Sequence, residues 1–438
     1  MKIIVNGFHG SDFSLLVKKL IDNNAVDEIL YLGTNESKEN YADIEKIKYL
    51  DCGKISWGNY PDDPLQMPLD RTIIEENYET ESYCLRMMDR LEFCQELTYS
   101  QRKEIYLSHL KYWSSIIAQK NICAFISSNL PHEIYDFVIY SLCIKKKINT
   151  ILFHQTQLLD RYICVDDIFS FNYCNDGLTD ENLYKNSIKL EKENYIDTLF
   201  KKMRQEKIPK PFYMKTTLKR SIHPKTRQLI KAYDRISVYP DYSKPYVFLA
   251  LHYQPELTTS PLAGCFVDQL LMIDVLSYCL PDGVLLYVKE HPKQTHIGRS
   301  TRMYDAIKGY ENVRTIRLDS DSSELIDHSI AVSTATGTVG WESLFRNKPV
   351  LMFGDFFYKK SPGVYRINDI DQCKKALQEI LDSKYEFPKD GHKNFIEKLL
   401  DSSFYGYVDP AYKDHQSLSE PDNCEVLNSI ISSRLRES

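Results

Sequence analysis

The chain has 438 residues, 43% hydrophobic and 26% charged, enough apolar mass for two or three domains of ordinary soluble composition. Its net charge of −6 argues against general nucleic-acid binding. Eleven cysteines, an odd number with no CxxC pair and no zinc-spaced Cys/His cluster, read as buried thiols of a reducing cytosol.

The opening MKIIVNGFHGSDF carries too short an apolar run for a signal peptide and reads as a first buried strand. Short β-rich runs then follow: EILYLG (Glu28 to Gly33), ICAFIS (Ile122 to Ser127) and NTILFH (Asn149 to His154). A long insertion, helical from about Tyr83 to Gln119, separates the second run from the third. The longest apolar stretch, YDFVIYSLCI, ends at Lys145 and falls short of the roughly 18 residues that span a bilayer, so no membrane crossing is expected. The second half repeats the rhythm with VFLALH (Val247 to His252), VLLYVKEH (Val284 to His291), VRTIRL (Val313 to Leu318), IAVST (Ile330 to Thr334) and PVLMFG (Pro349 to Gly354). Strands alternating with helical patterns predict two Rossmann-like α/β units with parallel sheets.

The expected domains are residues 1–205, with the helical insertion and the acceptor side, and 246–388. A proline-bearing basic linker at 206–245 joins them, and C-terminal helices and tail at 389–438 pack back on the first domain. From Lys201 to Lys231, eleven Lys or Arg stand against one acidic residue, Glu206. Such a segment suits a solvated linker, or a patch resting on anionic lipid headgroups or a phosphorylated acceptor, each basic residue there contributing roughly 1 kcal/mol. The expected location is cytoplasmic, with peripheral contact at the inner face of the membrane through this segment.

Open α/β sheets bind ligands beyond the carboxyl ends of their strands. STATGTVGWES follows IAVST and opens a helix, whose N-terminal N–H groups favour an anion. Gly337 and Gly340 would let a ligand approach the backbone, and Thr336 and Thr338 add hydroxyls, although Thr338 also suits a plain helix cap. Glu342 can accept from a ribose diol or simply favour the helix start. In YVKEHPKQTHIGR, Pro292 ends the strand and sets His291 at the rim beside Lys289 and Lys293, a basic group suited to phosphate, with Arg299 and Arg302 further along. LALHYQPELTTSPLAGCFVDQ gathers His252, Gln254, Glu256, Thr258, Thr259, Ser260 and Asp268, polar groups that are costly to bury unless paired or bound to something. Glu256 and Asp268 are its two carboxylates for acid, base or nucleophile work. In the first half the equivalent rims GFHGSD, SNLPHE and HQTQLLDR supply His9, Asp12, His132, His154 and Arg161 as acceptor-side candidates.

LHYQPELTTSPLAG with FVDQ, then YVKEHP, then TGTVGWE leading into KPVLMFG, resemble the capsule polysaccharide biosynthesis family of bacterial glycosyltransferases, and within it the retaining β-Kdo transferases of capsule and O-antigen assembly. The likeness covers mainly residues 245–370; the first half matches in arrangement alone. The resemblance implies a GT-B fold, two Rossmann-like domains facing a central cleft. It also implies that no metal or other cofactor is needed and that a CMP-activated sugar sits on the C-terminal domain. It implies a phosphate contact for His291, nucleotide contacts for Thr336, Gly337, Thr338 and Glu342, and a covalent nucleophile at Asp268, with Glu256 as the alternative. Lys289 and Gln254 join the expected donor-binding set. The acceptor would be a glycan or lipid-linked glycan of the bacterial surface. Three other readings stay open: a CDP-dependent polyol-phosphate transferase of the teichoic-acid type, in which His9 or His154 would act as base, a GT-B nucleotide-sugar epimerase, which would need no acceptor, and a non-catalytic nucleotide-sugar binding partner in capsule assembly.

Overall fold

A computed structural model of the chain describes all residues except 24–25, 35–37, 39–40, 42–43, 62–66, 159, 172–191, 206–222 and 437–438. The chain divides into two compact units, Met1–Leu183 with Leu400–Ser438, and Tyr184–Leu399.

The first unit is built on a seven-stranded sheet of β1 (Lys2–Asn6), β2 (Glu28–Gly33), β3 (Ile47–Asp51), β4 (Ile122–Ser127), β5 (Asn149–Gln155), β6 (Arg161–Val165) and β14 (Phe404–Tyr405), in the order β14-β6-β5-β4-β1-β2-β3. The strands β1 to β5 run parallel, and β6 and β14 are antiparallel to their neighbours. A parallel strand covered on both faces must be apolar throughout, which is why KIIVN, EILYLG, ICAFIS and NTILFH read as unbroken runs. The edge strand β3 carries exposed Lys48 and has no such signature, so the sequence reading missed it. The insertion resolves into Arg71–Glu76, Tyr78–Met87 and Tyr99–Gln119, the last begun by a capping box in which Thr98 and Gln101 satisfy each other's backbone N–H.

The second unit is an all-parallel sheet of β7 (Ser237–Val238), β8 (Tyr246–Ala250), β9 (Leu285–Lys289), β10 (Val313–Ile316), β11 (Ala331–Thr334), β12 (Val350–Met352) and β13 (Val364–Arg366), in the order β13-β12-β11-β8-β9-β10-β7. The five expected strands are all present; β7 and β13, two and three residues long at the edges, add to them. Of the segment expected as a linker, 206–222 lies outside the described residues, as does most of the basic stretch. Beyond it, helix Pro224–Asp234 sends Leu229 and Tyr233 into the core of the second unit.

Residues 400–438 belong to the first unit. Helix Glu420–Arg436 lies on helix Ser14–Asn23, and its Leu427, Ile430, Ile431 and Leu435 share one buried cluster with Ile3, Val5, Leu16 and Leu20. Two acceptor-side candidates are consumed in holding this segment. The Asp12 carboxylate takes a hydrogen bond from Tyr407 Oη at 3.2 Å and an ion pair from Lys413 at 3.3 Å. Buried Arg161 donates from Nη1 to the Leu400 carbonyl and to Ser403 Oγ, both at 3.4 Å. They are framework groups rather than rim groups, because their partners come from the returning chain. The thiols also differ from expectation: among the described cysteines none is disulfide-bonded, five are buried, and Cys94, Cys123 and Cys265 are exposed.

Ile431 is fully buried, so Ile431→Ala should cost about 2–5 kcal/mol by transfer and cavity terms. Urea denaturation followed through a first-unit reporter such as Trp113 should show the lost stability; an unshifted transition would mean that the returning helix contributes nothing to that core.

Candidate functional site

In the second sheet, β9 and β10 lie on one side of β8 and β11 and β12 on the other, so the order reverses between β8 and β11. The carboxyl end of such a switch point is where open α/β sheets leave a crevice for ligands. His252, two residues beyond β8 and buried, spans it. Its Nε2 accepts the backbone N–H of Ala335 at 3.0 Å and of Thr336 at 3.3 Å, and lies 2.8 Å from Thr334 Oγ1. An amide can only donate, so Nε2 holds a lone pair and the ring proton sits on Nδ1. Burial reinforces the neutral form by pushing the imidazole down to about 3, with His291 and Arg299 adding to the shift.

The loop thus pinned becomes the start of helix Thr338–Phe345. Gly337 is its N-cap residue, and no side chain caps it; Thr338 is exposed and does not serve as the cap. A Cβ on Gly337 would stand 2.8 Å from Thr334 Oγ1 and 3.0 Å from His252 Cε1, so the tight approach of β8 to the loop demands glycine. Gly340 has a different role from the one expected. Its missing Cβ makes room for Tyr358 Oη and Val350 Cγ1, packing the helix onto the protein rather than onto a ligand. Thr336 is likewise buried, and its hydroxyl donates to the Thr258 carbonyl at 2.5 Å. Glu342, one turn along, keeps Oε2 buried with no hydrogen-bond partner. Burial pushes its carboxyl up to about 7, against the opposing pull of Arg346 and of a hydrogen bond from Thr338.

At the end of β9, alternation sends Lys289 and Glu290 to opposite faces. Lys289 donates to the Ser320 carbonyl at 2.7 Å and to Ser322 Oγ at 2.8 Å, and burial pushes its ammonium down to about 8. The expected phosphate contact is therefore spent on the loop after β10. Glu290 is buried against Arg299, with bonds of 2.8 and 3.2 Å, and accepts Tyr304 Oη at 2.7 Å. Arg299 also donates to Gln254 Oε1 and to the His252 carbonyl, each at 2.9 Å. Gln269 closes the network: its amide donates to the His252 carbonyl and to Gln254 Oε1, and its carbonyl accepts the His252 N–H. A buried ion pair is tolerable only when its remaining groups are satisfied, and here they are. Gln254 and Arg299 are accordingly framework rather than ligand contacts.

The network ends at His291. Its N–H donates to Glu290 Oε1 at 2.7 Å, and its Nδ1 accepts the Lys293 N–H at 3.1 Å, which puts the neutral ring's proton on Nε2, a donor. Asp268 is exposed just before helix Leu270–Cys279 and is the chain neighbour of Gln269, which grips His252. Glu256 is exposed on a turn in which its carbonyl and amide bond Thr259. His252, Gln269 and Glu290 were legible as motif residues but not as the parts that lock the loops, because their locking partners are 9 to 84 residues away.

In the first unit, the His132 imidazole is directed to the Leu130 carbonyl at 2.6 Å and lies 3.5 Å from the Glu133 carboxylate. His154 lies within β5, where burial pushes it down to about 4. His9 alone of the five candidates sits on the loop directly after β1, half-buried, with Nδ1 lacking a hydrogen-bond partner among the described residues. Among the described residues no group of three or more His, Cys, Asp or Glu is arranged to hold a metal ion, and no helix is long and apolar enough to cross a membrane.

No curated protein matches the chain. Among solved structures it is similar to the β-Kdo 2,7 transferase KpsC of Thermosulfurimonas dismutans, at 11% identity over 79% of this chain and 95% of that one, with a TM-score of 0.33. It is also similar to UDP-GlcNAc 2-epimerases of Methanocaldococcus jannaschii (13% identity, 92% of this chain and 100% of that one, TM-score 0.29) and Neisseria meningitidis (12%, 92% and 100%, TM-score 0.26). The model of the capsule polysaccharide biosynthesis protein family matches residues 268–382, from Asp268 through β9, the His291 turn and the Glu342 helix. Over that segment, about a quarter of the chain, the protein is similar to the capsule polysaccharide biosynthesis proteins, the family its strand-end motifs resemble.

Proposed function

We propose that the protein is a glycosyltransferase that moves a sugar, Kdo or a related acidic sugar from its CMP derivative, onto a bacterial surface glycan such as capsule or O-antigen. The observation that carries this reading is the bare, buried Oε2 of Glu342 beside an uncapped helix start at the switch point. A carboxylate there suits a ribose diol, and the amides of Thr338 and Val339 suit the donor phosphate. The Nε2–H of His291 supplies the other phosphate contact. Asp268 is the nucleophile: a carboxylate oxygen bonds to the anomeric carbon as the bond to CMP breaks. The acceptor oxygen then displaces the carboxylate after losing its proton, with net retention. Its place next to Gln269, and so near His252, supports that role.

Thermal-shift measurement against CMP, CDP, UDP and GDP should single out CMP, with about 2.7 kcal/mol of stabilisation at ~100 Kd. His291→Ala should weaken CMP binding by roughly 10- to 100-fold, the loss of a hydrogen bond to a charged group. Asp268→Ala should leave CMP binding intact and abolish transfer. An unchanged Kd for CMP in the first variant would remove His291 from the phosphate, and wild-type transfer in the second would remove Asp268 from the mechanism.

The carboxyl of Glu342 supplies a further check. Its folded-state value is raised to about 7, so below pH 7 it is protonated and a ribose diol must displace that proton to meet a carboxylate. Cytidine, which has no phosphate to titrate, should bind about tenfold more weakly at pH 6 than at pH 8, and Glu342→Gln should flatten that dependence. Calorimetry at the two pH values reads both; a pH-independent wild type would separate Glu342 from the ribose.

A further inference from the structure

We propose that Cys279 and Cys373 form a peroxide-reactive dithiol whose disulfide staples the second unit, a modification site that does not depend on the transferase reading above. Helix Leu270–Cys279 lies against helix Ile370–Ile380. Met272, Ile273 and Leu276 of the first share one buried cluster with Cys373, Ala376, Leu377 and Ile380 of the second. Cys373 is fully buried there, and half-buried Cys279 packs against the same cluster. The two thiols are hydrogen-bonded to each other, and Cys279 Sγ also donates to the Ile370 carbonyl at 3.7 Å. A thiol has one proton to give, so the donors run in order from Cys373 to Cys279 to that carbonyl.

The two sulfurs are not equivalent. Burial raises both thiols, but at Cys279 the hydrogen bond from Cys373 and the ammonium of Lys374 oppose it, whereas at Cys373 the neighbouring Cys279 adds to it. Lys374 is held over the ring of Tyr278, the residue before Cys279, 4.7 Å from its centroid. Cys279 is therefore the thiol that meets an oxidant, and Cys373 the one that resolves. Its position also allows the bond to close. A disulfide needs the sulfurs about 2.05 Å apart, nearer than a hydrogen bond holds them. Cys279 is the last residue of its helix, and the chain turns extended at Leu280 (φ −68°, ψ 136°) before Pro281, so the approach shifts a helix end rather than the core.

The oxidant is a hydroperoxide. The Cys279 sulfur attacks one of its oxygens, the O–O bond breaks, the departing oxygen leaves with the thiol's proton, and Cys279 becomes a sulfenic acid. The Cys373 sulfur then displaces the hydroxyl from the sulfenic sulfur, and its own proton leaves with that hydroxyl as water. Two thiols are oxidised and one peroxide is reduced. Raised thiols make the first step slow, so the pair answers sustained exposure rather than a brief pulse. The bond closes a loop that holds β9 to β13, five of the seven strands of the second sheet. A cross-link constrains the unfolded chain more strongly the longer the loop it closes, so this one stabilises the second unit. The opposite end of helix Leu270–Cys279 stays fixed to His252 through Gln269.

The test treats the reduced full-length protein with hydrogen peroxide at a dose that oxidises the exposed Cys94, Cys123 and Cys265. Alkylation with iodoacetamide in denaturant, mass spectrometry without reduction and thermal melting follow. The oxidised protein should yield a peptide cross-linked between Cys279 and Cys373 and should melt roughly 5–15 °C higher, a shift that dithiothreitol reverses. Cys279→Ser should melt close to the reduced wild type and gain nothing from peroxide, and Cys373→Ala should leave Cys279 as a sulfenic acid that dimedone captures. Recovery of both residues as alkylated thiols, or a disulfide joining either of them to another cysteine, overturns the site. A Cys279–Cys373 disulfide that leaves the melting temperature unchanged or lower overturns the staple.

Discussion

His252 Nε2 accepting the amides of Ala335 and Thr336 is the contact on which the second unit's ligand-facing surface depends. It ties the chain after β8 to the chain after β11 at the point where a parallel sheet has no strand to fill the crevice. Protonation of Nε2 would break all of these bonds at once, and the low proton affinity of the buried ring prevents it. Through the same residue the third loop is recruited: the His252 carbonyl receives Arg299, Arg299 holds Glu290, and Glu290 fixes the His291 N–H. Three loops from three strands are therefore tied into one hydrogen-bonded network. Preorganisation of this kind lets a modest number of ligand contacts suffice, because little ordering remains to be done on binding.

The two switch points are built on opposite plans. In the second unit the histidine faces inward and is saturated with partners, while the orphaned group is a carboxylate one helical turn away. In the first, the inward groups are Asn6, Ser127 and Asp136, already bonded to one another and to the backbone, and the orphaned group is the histidine itself. A buried polar atom without a partner is costly, by about 1–3 kcal/mol, and among the described residues each unit carries one at the mouth of its crevice besides others deeper in, such as His109 Nε2 and Trp341 Nε1. Functional sites are where such local conflicts are expected to survive.

Most of the strands were legible in the sequence because a parallel strand covered on both faces leaves an unbroken apolar run, as in KIIVN or ICAFIS. The edge strands β3, β7 and β13 leave none. The strand ends were legible for the same reason, which brought His291, Thr338 and Glu342 into view. Their division of labour was not. Lys289 next to a rim histidine reads as a phosphate ligand, yet it is directed to Ser320 and Ser322, and Thr336 reads as a donor hydroxyl, yet it bonds Thr258. Asp12 and Arg161 sit on rim motifs but serve a segment that returns some 240 to 400 residues later. Such pairings are set by tertiary contacts, and no local pattern encodes them.

The charge inventory at the strand ends bears on which donor fits. Buried and half-buried cations around the second switch point are matched within the protein: Arg299 by Glu290, Lys289 by a carbonyl and a hydroxyl, Arg346 by Asp327, and Lys359 and Arg366 by Asp355. What the described residues there offer an anion is then an imidazole N–H, the exposed Lys293 two residues along, and a helix start worth roughly half a positive charge. That is a fair match for the single negative charge of a phosphodiester joining a sugar to CMP. A diphosphate would bring a second charge into a region that also holds Glu342 and would need a cation to go with it. For the proposed transferase, this sparing use of positive charge is what supports a donor activated by a nucleoside monophosphate.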